Sequence, residues 1–107
     1  MSSLRVIILK PGKYDADGYV QRFRRGFMPN STLSYLASLT PAEFEGARCD
    51  VTIIDEYVHA DLDYLELLKR DPERRTLLAL AGVQSHQFQR ALDLGAFARS
   101  RGVESVI

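Results

Sequence analysis

The chain has 107 residues, 46% of them hydrophobic, and its 14 basic and 14 acidic side chains leave no net charge at pH 7. A chain of this length can bury one core, and the charge balance argues against a general nucleic-acid or anionic-membrane binder. No apolar run has the length of a membrane span, and the first residues do not resemble a secretory leader. The single cysteine, Cys49, cannot form an internal disulfide and favours a reducing, cytoplasmic location.

The first predicted element is a β-strand over residues 4–9, a short apolar run rich in β-branched side chains. Pro11 and Gly12 end this strand, because proline removes a ladder donor and glycine frees the backbone. The long loop that follows, residues 13–29, is of a length that is often functional. We interpret its basic and aromatic cluster, residues 22–27, as a solvated loop, with a lid over an anionic ligand as the alternative.

A helix and a further helical turn are predicted next. Asn30 or Ser31 can cap a helix over residues 33–39, whose apolar side chains recur at helical spacing. Thr40 then begins a capping box with proline at the first helical position, which predicts a short helical turn before Gly46.

Strands and helices alternate along the rest of the chain. The remaining predicted elements are a strand over 51–54, a helix over 62–69 capped by Asp61, a strand over 77–83, a helix over 87–101 and a strand over 103–107. Four strands that alternate with helices predict an α/β fold with a parallel, flavodoxin-like (Rossmann-like) sheet and right-handed crossovers. The predicted strand order is 2-1-3-4.

The last predicted helix has one apolar face at 100° per residue, formed by Phe88, Ala91, Leu92, Gly95 and Ala98. Phe97 falls on the opposite side, among charged residues. A single exposed aromatic side chain is the simpler interpretation. Contact with a partner or with another part of a longer chain is the alternative.

The sequence ends on the apolar residues of the last predicted strand. A domain seldom ends on an apolar strand with nothing to cover it. We therefore expect a single domain over residues 1–107 that is a fragment of a longer chain, truncated before a fifth strand. An open apolar strand edge recruits another strand, so self-association through residues 103–107 is also expected.

Two predicted loops form the candidate site. In open parallel sheets, ligands bind outside the carboxyl ends of the strands, and the first and third predicted strands are expected to be neighbours. The candidate residues lie at the ends of these two strands or just after them: Lys10, Pro11, Gly12, Gly82, Val83, Gln84, Ser85 and His86.

Several other kinds of site are excluded by missing residues. The Gly-x-Gly-x-x-Gly turn of dinucleotide-binding proteins, the P-loop and the phosphoacceptor acid of a receiver domain are absent. Asp55 stands where a ribose-binding acid would follow the second strand, but an acid is common there. His59 and His86 lack cysteine or acidic neighbours at metal-ligand spacing, so no metal ligand is predicted. No nucleophile–base or paired-acid arrangement indicates a stand-alone enzyme, and no catalytic residue is predicted.

Four segments carry a family resemblance: RVIILKPG at 5–12, MPNSTLSYLASL at 28–39, VTIIDE at 51–56 and GVQSHQFQRA at 82–91. In this order and spacing they resemble the N-terminal cobalamin-binding-type domain of B12-dependent radical S-adenosylmethionine proteins. The resemblance covers nearly the whole chain. It implies a cobalamin-binding domain whose parent is a radical enzyme, such as a methyltransferase.

The resemblance also implies how the cofactor is held. The Asp-x-His-x-x-Gly signature is absent, so cobalamin would bind without a histidine ligand from this domain. A corrin is a broad, mostly apolar disc with amide arms and needs a flat rim of loops. Backbone groups at Gly12 and Gly82, with the side chains of Gln84 and Ser85, would bond to these arms. Binding would be weak, because the family's glycine turn for the nucleotide tail would follow Ile107.

The parent protein would supply the remaining chemistry. S-adenosylmethionine and a 4Fe–4S cluster need a Cys-x-x-x-Cys-x-x-Cys motif, which this chain lacks. They would therefore lie in a catalytic radical S-adenosylmethionine barrel of the same parent, and the fragment itself would be non-catalytic. The alternative is a degenerate domain that binds no cofactor and only docks against such a barrel.

Overall fold

In the computed structural model, the described residues are 3–20, 31–57, 63–69 and 74–107. The strands and α-helices are β1 (Ser3–Lys10), α1 (Ser31–Leu39), β2 (Glu43–Phe44), β3 (Ala47–Asp55), β4 (Arg75–Leu80), α2 (Phe88–Ser100) and β5 (Glu104–Val106). Two 3₁₀ helices, Asp63–Leu67 and Ser85–Gln87, precede β4 and α2. No helix within the described residues is long and apolar enough to cross a membrane.

The strands form one mostly parallel sheet in the order β2-β3-β1-β4-β5. β1 pairs in parallel with both β3 and β4, and β5 pairs in parallel with β4. The α/β class is therefore confirmed, and the four parallel strands lie in the predicted order. The order of the whole sheet differs from the prediction, because β2 adds an antiparallel strand beside β3.

β1 is the central strand and is buried on both faces. Ile7 and Leu9 pack in the core cluster that includes α2, whereas Val6 and Ile8 pack in the cluster that includes Leu33 of α1. Helices thus cover both faces of this strand, which is why its sequence is a continuous apolar run and does not alternate with polar residues.

The predicted helical turn before Gly46 is wrong. The chain forms a tight hairpin between β2 and β3, in which Glu45 and Gly46 have positive φ angles of 50° and 82°. Two consecutive residues of positive φ are typical of the two-residue hairpin turn that matches strand twist. The hydroxyl of Thr40 does not cap a new helix, because it donates to the Leu36 carbonyl at the end of α1.

The predicted apolar face of α2 is rotated from the observed one. The buried residues of the helix are Ala91, Leu94 and Ala98, whereas Phe88 and Leu92 are 49% and 44% exposed. Leu94 occupies the centre of the buried face, and the prediction had left it out.

The prediction that Phe97 lies on an exposed face is wrong for the same reason. Its ring is half-buried against the core cluster that includes α2, and the Arg101 guanidinium lies 4.7 Å from the ring centroid. Phe97 therefore packs within its own domain.

The remaining differences concern the ends and type of elements. The predicted helix over 62–69 is the 3₁₀ helix Asp63–Leu67, whose neighbour Leu68 is fully buried. The third predicted strand, 77–83, begins two residues earlier and ends at Leu80. The predicted caps Asn30 and Asp61 lie outside the described residues.

Candidate functional site

The two predicted site loops meet at the carboxyl edge of the sheet. β1 and β4 are neighbours, and just past their ends the Ala81 amide donates to the Leu9 carbonyl over 2.9 Å. Lys10–Gly12 therefore lies beside residues 82–86. The prediction that Gly12 and Gln84 share one edge of the sheet is confirmed.

Gln87, a residue outside the predicted site set, ties these loops together. Its Nε2 donates to the Pro11 carbonyl over 2.8 Å, and its Oε1 accepts from the Gln84 amide over 3.0 Å. The side chain is only 1% exposed. One buried amide thus satisfies a backbone acceptor of one loop and a backbone donor of the other. Gln87 could have been found in the sequence, because it lies at helical spacing before Ala91, Leu94 and Ala98, the buried residues of α2.

The eight predicted residues differ in exposure. Four of them are exposed at the rim: Gly82, Gln84, Ser85 and His86. Lys10 and Val83 are half-buried, and Val83 packs against the core. Pro11 and Gly12 are buried. The four exposed residues and Lys10 form an open polar surface. The buried residues Pro11 and Gly12 lie beneath this surface.

Glu56 is the centre of a buried cluster under the loop after β1. Its carboxylate accepts from the Gly12 amide over 2.9 Å, from the Tyr64 hydroxyl, and from Arg90 through Nη2 at 2.8 Å and Nε at 3.0 Å. Glu56 is 0% exposed. The cluster therefore joins four parts of the chain: the loops after β1 and β3, a 3₁₀ helix, and α2.

Both members of the buried ion pair stay charged at neutral pH. Burial alone raises the pKa of Glu56, but hydrogen bonds from Arg90, Tyr64 and the Gly12 amide outweigh it and hold that pKa below its ordinary value. Burial alone lowers the pKa of Arg90, but the hydrogen bond to Glu56 outweighs it and the net pKa is raised. Neither group is set to exchange protons near neutral pH, so the pair is suited to holding the loops and not to acid–base catalysis.

Tyr14 extends this cluster to the surface. Arg90 Nη1 donates to the Tyr14 hydroxyl over 3.3 Å, and that hydroxyl donates to Asp93 of α2. Burial, followed by the hydrogen bond to Asp93, raises the pKa of Tyr14. The loop after β1 is thereby attached to α2 directly through Tyr14 and indirectly through Gly12, whose partner Glu56 accepts from Arg90. The sequence had shown Arg90 and Asp93 only as charged residues of a helix surface.

Asp55, the residue before Glu56, has quite different surroundings. It is 9% exposed. Its Oδ1 accepts from the Tyr57 amide over 3.0 Å. Its Oδ2 is buried and has no hydrogen-bond partner among the described residues. A buried polar atom without a partner is rare in folded proteins and calls for an explanation.

Lys10 is the register partner of Asp55 on the neighbouring strand. Its ammonium lies 5.5 Å from the centroid of the Tyr57 ring. Its stem passes 3.7 to 3.8 Å from where a Cβ on Gly82 would stand. The Lys10 side chain therefore lies across the carboxyl edge, between the segments that follow β3 and β4.

Two clefts in the described part of the protein lie away from this rim. A cleft of about 400 Å³ lies at the amino edge of the sheet, between Leu4, Phe44 and Arg75. A second, of about 290 Å³, lies between α2 and β5, beside Leu92 and Val106. The rim itself is an open surface, which suits a broad ligand better than a small enclosed one.

Two sequence features lie outside the described residues, namely His59 and the basic cluster at 22–27. Within the described ranges, no group of three or more His, Cys, Asp or Glu side chains is arranged to hold a metal ion.

Comparisons with known proteins gave no relative for this chain. No protein-family model, no curated protein and no solved structure matches it.

Proposed function

We propose that this chain is a cobalamin-binding domain with a flavodoxin-like sheet, of the type found at the N terminus of B12-dependent radical S-adenosylmethionine proteins. One observation carries the proposal: Gln87 joins the loops after β1 and β4 into one rim at the carboxyl edge. Ligands of open parallel sheets bind at this edge. The four resembling sequence segments contribute both of these loops.

The residues of the rim fit the cofactor. Cobalamin supplies a cobalt centre, and the protein has to hold and orient the corrin disc through its amide arms. The exposed backbone of Gly82 and the side chains of Gln84 and Ser85 offer hydrogen bonds to those arms, and Lys10 offers a donor. Beside the exposed groups, Asp55 has a buried carboxylate oxygen that no described residue bonds. No side chain of this domain ligates the cobalt in this proposal, because His86 lacks the signature neighbours.

The domain would act together with a catalytic radical S-adenosylmethionine barrel of the same parent protein. Methyl transfer or a related radical reaction would occur there, with S-adenosylmethionine and the iron–sulfur cluster. The rim described above would present the cofactor to that barrel.

A second candidate is a cofactor-free docking domain. The observation that favours it is the apolar surface around the cleft between α2 and β5, where Leu92 is 44% and Val106 is 52% exposed. Apolar side chains that line one cleft are typical of surfaces that contact another protein. Self-association through β5 would use the adjacent outer edge of that strand.

Retention of hydroxocobalamin tests the proposed function. The protein is incubated with the cofactor and desalted, and we expect the corrin absorbance to elute with the protein. The double variant Gln84→Ala and Ser85→Ala should retain less. Its control is Ser100→Ala, an exposed serine at the far end of α2, which should retain as much as the original protein. Absence of corrin from every eluted sample would contradict the proposal and favour the docking domain, and gel filtration of the same samples would report self-association.

A further inference from the structure

We propose that Lys10 and Asp55 together bind one primary carboxamide group, and that this group is an amide arm of cobalamin. The choice of cobalamin as its source rests on the proposed function. The binding chemistry rests on the two side chains themselves.

The backbone places the two side chains next to each other. Lys10 and Asp55 are register partners at the ends of the parallel strands β1 and β3. Register partners on neighbouring strands point to the same face of a sheet. Here that face is the one covered by α1, since Ile8, two residues before Lys10, packs against Leu33.

The two opposite charges do not bond to each other. Among the ion pairs of the described residues, none involves Lys10 or Asp55. The Lys10 ammonium lies over the Tyr57 ring instead, and Asp55 Oδ2 has no described partner. A buried carboxylate oxygen without a donor is unfavourable, so a ligand that brings a donor gains binding energy there.

A primary carboxamide matches this pair of groups. An ammonium only donates hydrogen bonds and an ionised carboxylate only accepts them, whereas a carboxamide does both. Its carbonyl oxygen would accept from Lys10, and its NH₂ group would donate to Asp55 Oδ2. A carboxylate ligand would be repelled by Asp55, and an ammonium ligand by Lys10.

Binding needs a local opening that exposes Asp55 Oδ2, which is closed to water, and a movement of Lys10. The Lys10 ammonium would leave the Tyr57 ring and turn to the incoming carbonyl oxygen. Contacts between an ammonium and an aromatic ring are weak where the site is not fully desolvated, and Lys10 is only half-buried. Release of the Lys10 ammonium from the ring therefore costs little.

Asp55→Asn reverses the chemistry of the site while keeping its shape. Asparagine retains the oxygen that accepts from the Tyr57 amide and places an NH₂ donor where Oδ2 stands. We compare cobalamin with a cobalamin monocarboxylate in which one propionamide arm is hydrolysed to the acid, testing each positional isomer. The original protein should prefer cobalamin to at least one isomer by about tenfold, the value of one charge-assisted hydrogen bond, and Asp55→Asn should lose or reverse that preference. Lys10→Met should weaken the binding of cobalamin.

A second measurement needs no corrin. Propionamide and propionate are titrated into the isotope-labelled protein, and the NMR resonances of Asp55 and Tyr57 are followed. Propionamide should shift these resonances in the original protein and propionate should not, whereas in Asp55→Asn the shifts caused by propionamide should be lost.

The outcomes separate the two proposals. Cobalamin retention with the same preference in Asp55→Asn would overturn the carboxamide site and leave the proposed function standing. A specific propionamide response without cobalamin retention would support the carboxamide site and overturn cobalamin as its source. No propionamide response together with no preference among the corrins would overturn the carboxamide site outright.

Discussion

Two consecutive acids at the end of β3, Asp55 and Glu56, have opposite environments. Glu56 is fully buried and accepts hydrogen bonds from three residues, of which Arg90 neutralises its charge. Asp55 is nearly as buried, yet one of its oxygens has no partner among the described residues. Strand alternation sends the two side chains to opposite faces of the sheet. The satisfied acid holds the loops in place, whereas the unsatisfied one is the better candidate for contact with a ligand.

Removal of Arg90 is expected to have the largest effect on stability. Arg90→Met leaves the Glu56 carboxylate buried without its countercharge, and breaking a buried pair in this way costs about 3 to 5 kcal/mol. Urea unfolding measures the loss. The matched control is Arg99→Met, an exposed arginine of the same helix, which should change the free energy of unfolding by less than about 0.5 kcal/mol. Equal stability of the two variants would show that the Glu56 cluster does not hold the fold.

Acid should weaken the same cluster. The pKa of Glu56 is lower in the folded protein than its ordinary value of 4.5, so the folded state binds this proton less readily than the unfolded state. The stabilising contribution is complete above about pH 4.5 and is lost as the pH falls through the folded-state pKa. Urea midpoints of the original protein and of Glu56→Gln, compared at pH 7 and pH 3.5, should differ by less at the lower pH. A constant difference would contradict the assigned pKa direction.

Loss of the Gln87 amide should have an intermediate effect. Gln87→Met keeps the side-chain size but leaves the Pro11 carbonyl and the Gln84 amide without this partner, which costs about 1 to 3 kcal/mol. Gln89→Met, at an exposed position two residues further along, is the control. If the rim depends on this bridge, Gln87→Met should also retain less hydroxocobalamin at a temperature where both variants are folded. Retention equal to that of the control would remove Gln87 from the site.

The smallest effect on stability is expected for Asp55→Asn. No described donor bonds to Oδ2, and the bond from the Tyr57 amide to Oδ1 is kept. The free energy of unfolding should therefore stay within about 1 kcal/mol of the original value, while Glu56→Gln at pH 7 costs more. If Asp55→Asn lowered the free energy of unfolding more than Glu56→Gln does, Asp55 and not Glu56 would be the acid that stabilises the fold.

The sequence predicted the strands and turns that carry this site better than it predicted the side-chain contacts within the site. Continuous apolar runs identify β1, β3 and β4, and turn residues place Pro11 and Gly82 at strand ends. The four parallel strands lie in the order expected of a flavodoxin-like sheet. Local patterns failed where a different contact prevailed: the Thr40 hydroxyl donates to the Leu36 carbonyl at the end of α1, and tertiary packing selects Leu94 for the buried face of α2.

The Glu56 cluster could not be predicted in the same way. Its members come from residues 12, 14, 56, 64, 90 and 93, which are far apart in the sequence and match no spacing rule. In the sequence, Asp55 and Glu56 cannot be told apart, because both are acids that follow the same predicted strand. Only the folded chain shows that one of them has a partner arginine and the other has an unbonded oxygen.

The hairpin formed by β2 has a consequence for assembly of the protein into larger species. β2 pairs with the first two residues of β3 and so occupies the outer edge of the sheet there. Arg48, at the end of this paired stretch, forms an exposed ion pair with Asp50, two residues further along β3. Short antiparallel strands and charged side chains are devices by which natural sheets resist the addition of foreign strands. Fibril growth onto β3 would first have to displace this hairpin and desolvate these charges, so the hairpin acts as a barrier to polymerisation at this edge of the sheet.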